Sequence, residues 1–157
     1  MRIRTLTGLL LTAAWLAAAP AAHALSLGLT TAAGALSPFK TGSTATSTAA
    51  LTVVSVTPWT LQVADTTSTS NAGHLARQSG CSSGVATLSN PLQLTATPGA
   101  GTGTSAGQKS LSGSPQTVAT GPLGTSLVSV AYSQTIPSSE LVVAGCSYSI
   151  TVTYTAS

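Results

Sequence analysis

Charged residues are scarce in this sequence, with five Lys or Arg and two Asp or Glu among 157 residues. The basic residues form no cluster that could neutralise a row of phosphates, and no aromatic residues lie interleaved with them, so the composition argues against nucleic-acid binding. Disorder is also disfavoured, because the chain is rich in Val, Leu, Ala and Thr. We therefore expect a folded chain whose polar surface consists of Ser, Thr, Gly and Asn.

Residues that commonly carry catalysis are equally few. Asp65 and Glu140 are the only carboxylates, and His74 is the only histidine beyond residue 24. A Ser-His-Asp triad built from Asp65, His74 and one of many serines is a weak match, because serine is so abundant here. A glycosidase pair would need a cleft lined by aromatic side chains, which this chain is more apt to place in its core. The sequence therefore predicts neither an enzyme nor a cofactor.

One short segment matches a hydrolase motif. Gly80–Gly84, with the sequence GCSSG, fits the G-x-S-x-G pattern of a nucleophile elbow. That motif needs a strand before it and a helix after it, so that the serine is held on a sharp turn. The segment that follows, Val85–Leu88, is short and β-like. A turn of small residues beside a disulfide explains the pattern better.

Only two cysteines are present, Cys81 and Cys146. In an exported chain a pair of cysteines predicts a disulfide. A metal site is the alternative, but it would need Asp65, His74 or Glu140 as further ligands, and these residues lack the tight spacing of a metal site. We therefore predict a disulfide between Cys81 and Cys146 and no metal.

The first 24 residues, Met1–Ala24, have the pattern of a secretory signal peptide. Two arginines precede an apolar run, Leu6–Ala19, and Ala22-His23-Ala24 forms a small-x-small cleavage site. An uncleaved transmembrane anchor is the alternative, but Pro20 and the small residues after it favour cleavage. We therefore predict a secreted or cell-surface chain with a single domain over 25–157 and no membrane contact after cleavage.

The clearest strand pattern lies in Leu51–Asp65, where large apolar residues occupy every second position. Pro58 divides this run, because a proline cannot donate to a sheet ladder, into a strand that ends near Val56 and a second strand, Trp59–Ala64. Trp59 is expected to anchor the core, since an indole buries a large apolar area. Further strands are expected over Leu25–Leu29, Val85–Leu88, Leu92–Thr97, Pro115–Ala119, Leu127–Ile136 and Tyr148–Tyr154.

Two segments with few large residues are expected to be less regular. Thr41–Ala50 is predicted to be a loop or an exposed edge strand, and Pro98–Ser114, rich in Gly and Ser, is predicted to be a mobile surface loop. Seven or eight short strands separated by turns, with no helical period, indicate an all-β fold. The predicted architecture is an Ig-like β-sandwich of antiparallel strands.

Two motifs carry a resemblance to a known family. Trp59-Thr60-Leu61 is a Trp-x-Leu motif, and the chain closes with Ala144-Gly145-Cys146-Ser147-Tyr148 and the alternating residues to Tyr154. Together they resemble the WxL-type domains of secreted Gram-positive proteins, although Tyr154-Thr155-Ala156 stands where the second Trp-x-Leu of that family would lie. The resemblance implies a β-sandwich held non-covalently on the cell wall, with peptidoglycan as partner and Trp59 and Leu61 as contact residues. Alternation alone also explains Trp59 and Leu61 as core residues of one strand face.

These observations favour a non-catalytic surface protein that binds the cell wall, itself or another exported protein. The alternative is a fimbrial or filament subunit, in which Leu25–Leu29 or Tyr148–Tyr154 pairs with the sheet edge of a neighbouring subunit. A small secreted hydrolase is a third possibility, and it would depend on His74. The sequence leaves these alternatives open.

Overall fold

The computed structural model describes residues 25–66 and 70–157. The predicted signal peptide, Met1–Ala24, lies outside these residues. Every regular element in the described residues is a β-strand, and all the strand pairs are antiparallel, so the all-β, sandwich-like prediction is confirmed. The Ig-like assignment stays a prediction. The strands are β1 Leu25–Thr31, β2 Ser43–Ser55, β3 Trp59–Ala64, β4 Ala76–Arg77, β5 Gln93–Pro98, β6 Thr104–Ser105, β7 Lys109–Ser110, β8 Gln116–Gly121, β9 Gly124–Ile136, β10 Tyr148–Ser149 and β11 Thr153–Ala156.

The strands form two main sheets and one short ladder. Sheet A has five strands in the order β1-β2-β9-β5-β7, and sheet B has four in the order β11-β3-β8-β6, while β10 pairs with β4. Large side chains from both sheets, such as Val53 and Val130 from sheet A and Leu61 from sheet B, are fully buried in one core cluster. Burial of this shared apolar surface is the main force that holds the sheets together.

The longest ladder joins β2 to β9. It runs without interruption from the pair Ser43–Ile136 to the pair Ser55–Gly124. Thr41–Ala50 is therefore not a loop, because most of it lies in β2. β1 pairs only with Ala50–Ser55, and beside the rest lies an isolated bridge between Ser37 and Thr46, so the expectation of an edge strand holds for this segment. Its inward positions carry Ala45 and Ala49, which are too small to give an apolar signal in the sequence.

Two other expectations are corrected. Pro98–Ser114 is not one mobile loop, because it contains β6 and β7, and Leu111 is buried. The predicted strand Tyr148–Tyr154 is interrupted, because β10 pairs with β4 whereas β11 pairs with β3. Ile150 and Val152, which lie between these two ladders, still point into the core. The alternation was therefore informative about burial but not about strand pairing.

Candidate binding surface

Trp59 and Leu61, the residues of the Trp-x-Leu motif, lie in the core. They are 2% and 0% exposed. Trp59 lies opposite Gly121 on β8, and a Cβ at Gly121 would be 2.3 Å from Cζ2 of the indole, so the ring covers bare backbone. The indole N–H has no hydrogen-bond partner among the described residues. Packing accounts for both side chains in this conformation, and their role as wall contacts stays a prediction.

The cysteines lie together at the edge of the core. The Sγ atoms of Cys81 and Cys146 are 1.97 Å apart, which is disulfide distance and agrees with the predicted pairing. Beside them, Tyr148 is buried and its hydroxyl donates to the carbonyl of Val85 at 2.8 Å. The disulfide thus joins the loop after β4 to the segment before β10.

Asp65 and His74 hold loop backbone. Asp65 is buried, and its Oδ2 accepts a 2.9 Å hydrogen bond from the N–H of Gly73. Gly73 has a φ of 86°, and a Cβ there would be 1.9 Å from the carbonyl oxygen of Leu111, so only glycine fits this turn. Nδ1 of His74 lies 2.8 Å from the carbonyl oxygen of Leu88. In a catalytic triad Nδ1 pairs with a carboxylate, whereas Nδ1 of His74 lies beside a backbone carbonyl.

The segment Gly80–Gly84 is irregular and has positive φ at both glycines. Nη1 of Arg77 donates to the carbonyl of Gly84 at 2.8 Å. The strand predicted over Val85–Leu88 is absent from the described structure, apart from an isolated bridge between Thr87 and Ala76. The strand before this segment, β4, has two residues and ends at Arg77, and no helix follows the segment among the described residues, so the framework of a nucleophile elbow is incomplete.

Glu140 joins three segments of the chain. Its side chain is 7% exposed, and Oε1 accepts a hydrogen bond from the N–H of Ser89. The backbone carbonyl of Glu140 accepts a 2.9 Å hydrogen bond from the hydroxyl of Thr41. Both carboxylates, Asp65 and Glu140, therefore accept hydrogen bonds from loop N–H groups, while Oε2 of Glu140 is buried with no partner among the described residues. Within residues 25–66 and 70–157, no group of three or more His, Cys, Asp or Glu side chains could hold a metal ion.

The four long strands of sheet A are uncharged. No Lys, Arg, Asp or Glu occurs in β1, β2, β5 or β9. Where β2 and β9 pair, the outward positions alternate with the buried ones and carry mainly hydroxyl groups. These outward positions are Thr44, Thr46, Thr48, Ala50, Thr52 and Val54 on β2, and Thr125, Leu127, Ser129, Ala131, Ser133 and Thr135 on β9.

Four exposed aliphatic residues lie at one end of the β2–β9 ladder, two within the strands and two directly beyond them. Val54, Val56, Leu123 and Leu127 are 40%, 54%, 65% and 61% exposed. Val54 on β2 pairs with Thr125 on β9. Leu123 and Leu127 each lie two residues from Thr125, and Val56 follows Val54 beyond the end of β2. All four residues therefore lie at the same end of the ladder. We call these four residues the end patch. Contiguous apolar surface with a polar rim is typical of an interaction site.

Sequence analysis missed the end patch, although a signal exists. Val53-Val54 and Leu127-Val128 are apolar doublets within strands that otherwise alternate, so one member of each doublet must point outward. The remaining large exposed hydrophobic residue of the described chain, Leu141, follows the opposite end of β9. Leu141 therefore lies outside the end patch.

Comparison of the chain with protein families, with curated proteins and with solved structures found no match. The resemblance to WxL-type domains therefore stays a prediction. In the part of the chain that the structure describes, no helix has the length and apolar character needed to cross a membrane.

Proposed function

We propose that this chain is an exported, non-catalytic surface protein that binds another exported protein through the end patch. The observation that supports this proposal is the position of the exposed hydrophobic residues. Of the five large ones in the described chain, four lie at the same end of sheet A. Covering exposed apolar surface is favourable by about 25 cal/mol per Å².

The chemistry of the end patch favours a protein partner over a wall polymer. Its four residues, Val54, Val56, Leu123 and Leu127, are aliphatic and offer neither an aromatic platform for a sugar ring nor a charge. The strands β2 and β9 contribute no cation that could pair with an anionic polymer. Aliphatic side chains bind best to other apolar side chains, which a protein surface provides.

Two features support export. The sequence of Met1–Ala24 has the basic start, apolar run and small-residue cleavage site of a signal peptide. The sulfur atoms of Cys81 and Cys146 lie at disulfide distance, and stable disulfides are typical of exported proteins. A cell-surface location is part of the same proposal.

The proposal is tested by measuring which secreted and surface proteins of the source organism bind to this chain. We would compare the wild type with Val54→Lys/Leu127→Lys, which places two charges in the end patch. The matched control is Leu141→Lys, at a residue that is 63% exposed but lies elsewhere. A protein captured by the wild type would be purified and titrated against all three chains. We expect the double variant to weaken binding at least about tenfold, and the control to bind like the wild type.

Two outcomes would contradict the proposal. Equal affinity of the double variant and the wild type would show that the partner contacts another surface. Sedimentation of the wild type with purified peptidoglycan, unaffected by Val54→Lys/Leu127→Lys, would instead favour direct wall binding away from the end patch. Circular dichroism spectra that match the wild type would show that each variant is folded.

A further inference from the structure

We propose that two copies of this chain pair edge to edge through β1 and form a closed two-fold dimer. β1 lies at the edge of sheet A and pairs with β2 on one side only. It has seven residues, LSLGLTT, and contains neither proline nor a charged residue. The backbone N–H and C=O groups on the open side of such a strand can pair with another strand. This inference does not depend on the partner proposed for the end patch.

The other sheet edges are much less suited to pairing. β6 and β7 have two residues each, and β7 contains Lys109. β11, the open edge of sheet B, has four residues. Short length, lysine, proline and bulges are the features that normally protect an edge strand. β1 has only one of them, a register shift between Leu29 and Thr31, which leaves Leu25–Leu29 regular.

The inward side chains of β1 are incompletely covered. Leu25, Leu27 and Leu29 are half-buried, whereas Leu51 and Val53, their neighbours on β2, are fully buried. The leucines therefore keep some apolar surface exposed on this edge strand, which β11 of sheet B approaches without pairing. A second strand added at this edge would bury more apolar surface.

A second copy of β1 fits this edge by symmetry. Antiparallel pairing centred on Leu27 places Leu25 opposite Leu29 of the other copy, and Ser26 opposite Gly28. A Cβ at Gly28 would meet no atom within 4 Å, so no side chain obstructs the outward side. Glycine inside a strand is often found where another backbone approaches closely. The contact is the same on both copies, as in a two-fold dimer.

This contact ends assembly at two copies. The two-fold contact occupies the open side of β1 on both chains, and the rest of that sheet edge, Ser43–Ala49 of β2, is bridged at Thr46 by Ser37. The joined sheet would contain the five strands of sheet A from each copy. A filament would instead need a second, complementary edge on every subunit. The inference therefore separates a dimer from the fimbrial alternative.

Charge substitutions at the edge test the proposal. In Ser26→Lys/Gly28→Lys, lysines of the two copies face each other, and in Ser26→Glu/Gly28→Glu, glutamates do so. Facing like charges destabilise a cross-strand pair, so each variant should have a dimer dissociation constant about tenfold or more above the wild type. An equimolar mixture should form the mixed dimer, and salt should weaken it. Sedimentation velocity over a range of concentrations, on chain purified from the medium of an exporting host, measures each state.

The matched control places the same charge on the same sheet but away from its edge. Ser129→Lys/Ala131→Lys changes two exposed residues of β9, which pairs with β2 on one side and β5 on the other at both positions, and should dimerise like the wild type. A wild type that is monomeric at every concentration would overturn the proposal. So would a dimer that is insensitive to the charges at Ser26 and Gly28, a mixture that stays monomeric, or growth into polymers. Unchanged circular dichroism, and cooperative thermal unfolding compared at concentrations where the wild type is also monomeric, would verify the fold of the variants.

Discussion

The substitution Gly121→Ala tests how the largest side chain of the core is packed. A Cβ at this position would lie 2.3 Å from Cζ2 and 2.4 Å from Cε2 of Trp59, and 2.6 Å from the carbonyl oxygen of Thr102. Carbon atoms in favourable contact are about 3.5–4.0 Å apart. The oxygen of Thr102 belongs to the backbone and cannot rotate away. Either the indole or β8 must therefore move to admit one methyl group.

The expected change in the free energy of unfolding of Gly121→Ala follows from two opposing effects. On an open strand Ala is more stable than Gly by about 0.5–1 kcal/mol, because it loses less conformational freedom on folding. Overpacking of a well-filled core costs about 1–3 kcal/mol. For Gly121→Ala the second effect should prevail, and we expect the free energy of unfolding to fall by about 1–2 kcal/mol, with a melting temperature several degrees lower.

Gly28→Ala is the matched control. Gly28 also lies within a strand, and a Cβ there has no neighbour within 4 Å, so this change should stabilise the chain by about 0.4–1 kcal/mol. Urea unfolding followed by circular dichroism measures both variants, and Trp59→Phe/Gly121→Ala completes the comparison. With Trp59→Phe measured as well, the smaller ring should relieve the clash with residue 59 but not the contact with the Thr102 oxygen, so the double variant should lose less than the sum of the two single losses. Equal stability of Gly121→Ala and Gly28→Ala would refute the packing argument.

Three further predictions concern the tyrosines, the disulfide and Glu140. Burial raises the pKa of Tyr132 and Tyr154, whose hydroxyls are hydrogen-bonded to each other. These two phenols therefore ionise at a lower pH in the unfolded chain than in the folded chain. Above about pH 10 the melting temperature should fall, and it should fall less steeply in Tyr154→Phe. Reducing the disulfide, which spans a sequence separation of 65, should lower the free energy of unfolding by about 4 kcal/mol in urea titrations with and without reductant. Glu140→Ala should lower the free energy of unfolding by about 0.5–1.5 kcal/mol in the same assay, because the part-buried hydrogen bond from the N–H of Ser89 is lost. Glu140→Gln keeps an acceptor and should lose less.

Each of these predictions has an opposing result. Equal pH slopes for Tyr154→Phe and the wild type above about pH 10 would contradict the coupling of phenol ionisation to unfolding. An unchanged unfolding midpoint after reduction would contradict the stabilising role of the pair Cys81–Cys146. Equal stability of Glu140→Ala and Glu140→Gln would show that the hydrogen bond from Ser89 contributes nothing measurable.

The strands that the sequence identified correctly are those with large inward residues. β3 was predicted over Trp59–Ala64 with its observed bounds, and Pro58 precedes it as expected. β9 was recognised over most of its length because Val128, Val130 and Tyr132 alternate with small polar residues. Each of these signals is local, since a strand with one buried face must alternate whichever strands lie beside it.

What the sequence could not show depends on distant partners. Tyr148–Tyr154 alternates like one strand, yet its first residues pair with β4 and its last residues with β3. In the same way, the sequence offers Glu140 as a candidate catalytic carboxylate, but Oε1 accepts a hydrogen bond from the N–H of Ser89, a residue 51 positions away in sequence. A pattern along one segment does not contain the identity of its neighbour in space. The Cys81–Cys146 pairing was predictable only because these cysteines are the sole pair in the chain.

The scarcity of charge connects the two proposed surfaces. Lysine and glutamate commonly protect sheet edges and apolar patches from contact, and β1, β2 and β9 contain neither. A two-fold axis that relates antiparallel β1 strands runs perpendicular to the sheet, so both end patches of a dimer would lie on the same side. Such a dimer would bind an immobilised partner with both patches and gain affinity through a high effective concentration. Ser26→Lys/Gly28→Lys should therefore weaken binding to a densely immobilised partner while leaving binding to the same partner in solution unchanged, whereas Val54→Lys/Leu127→Lys should weaken both.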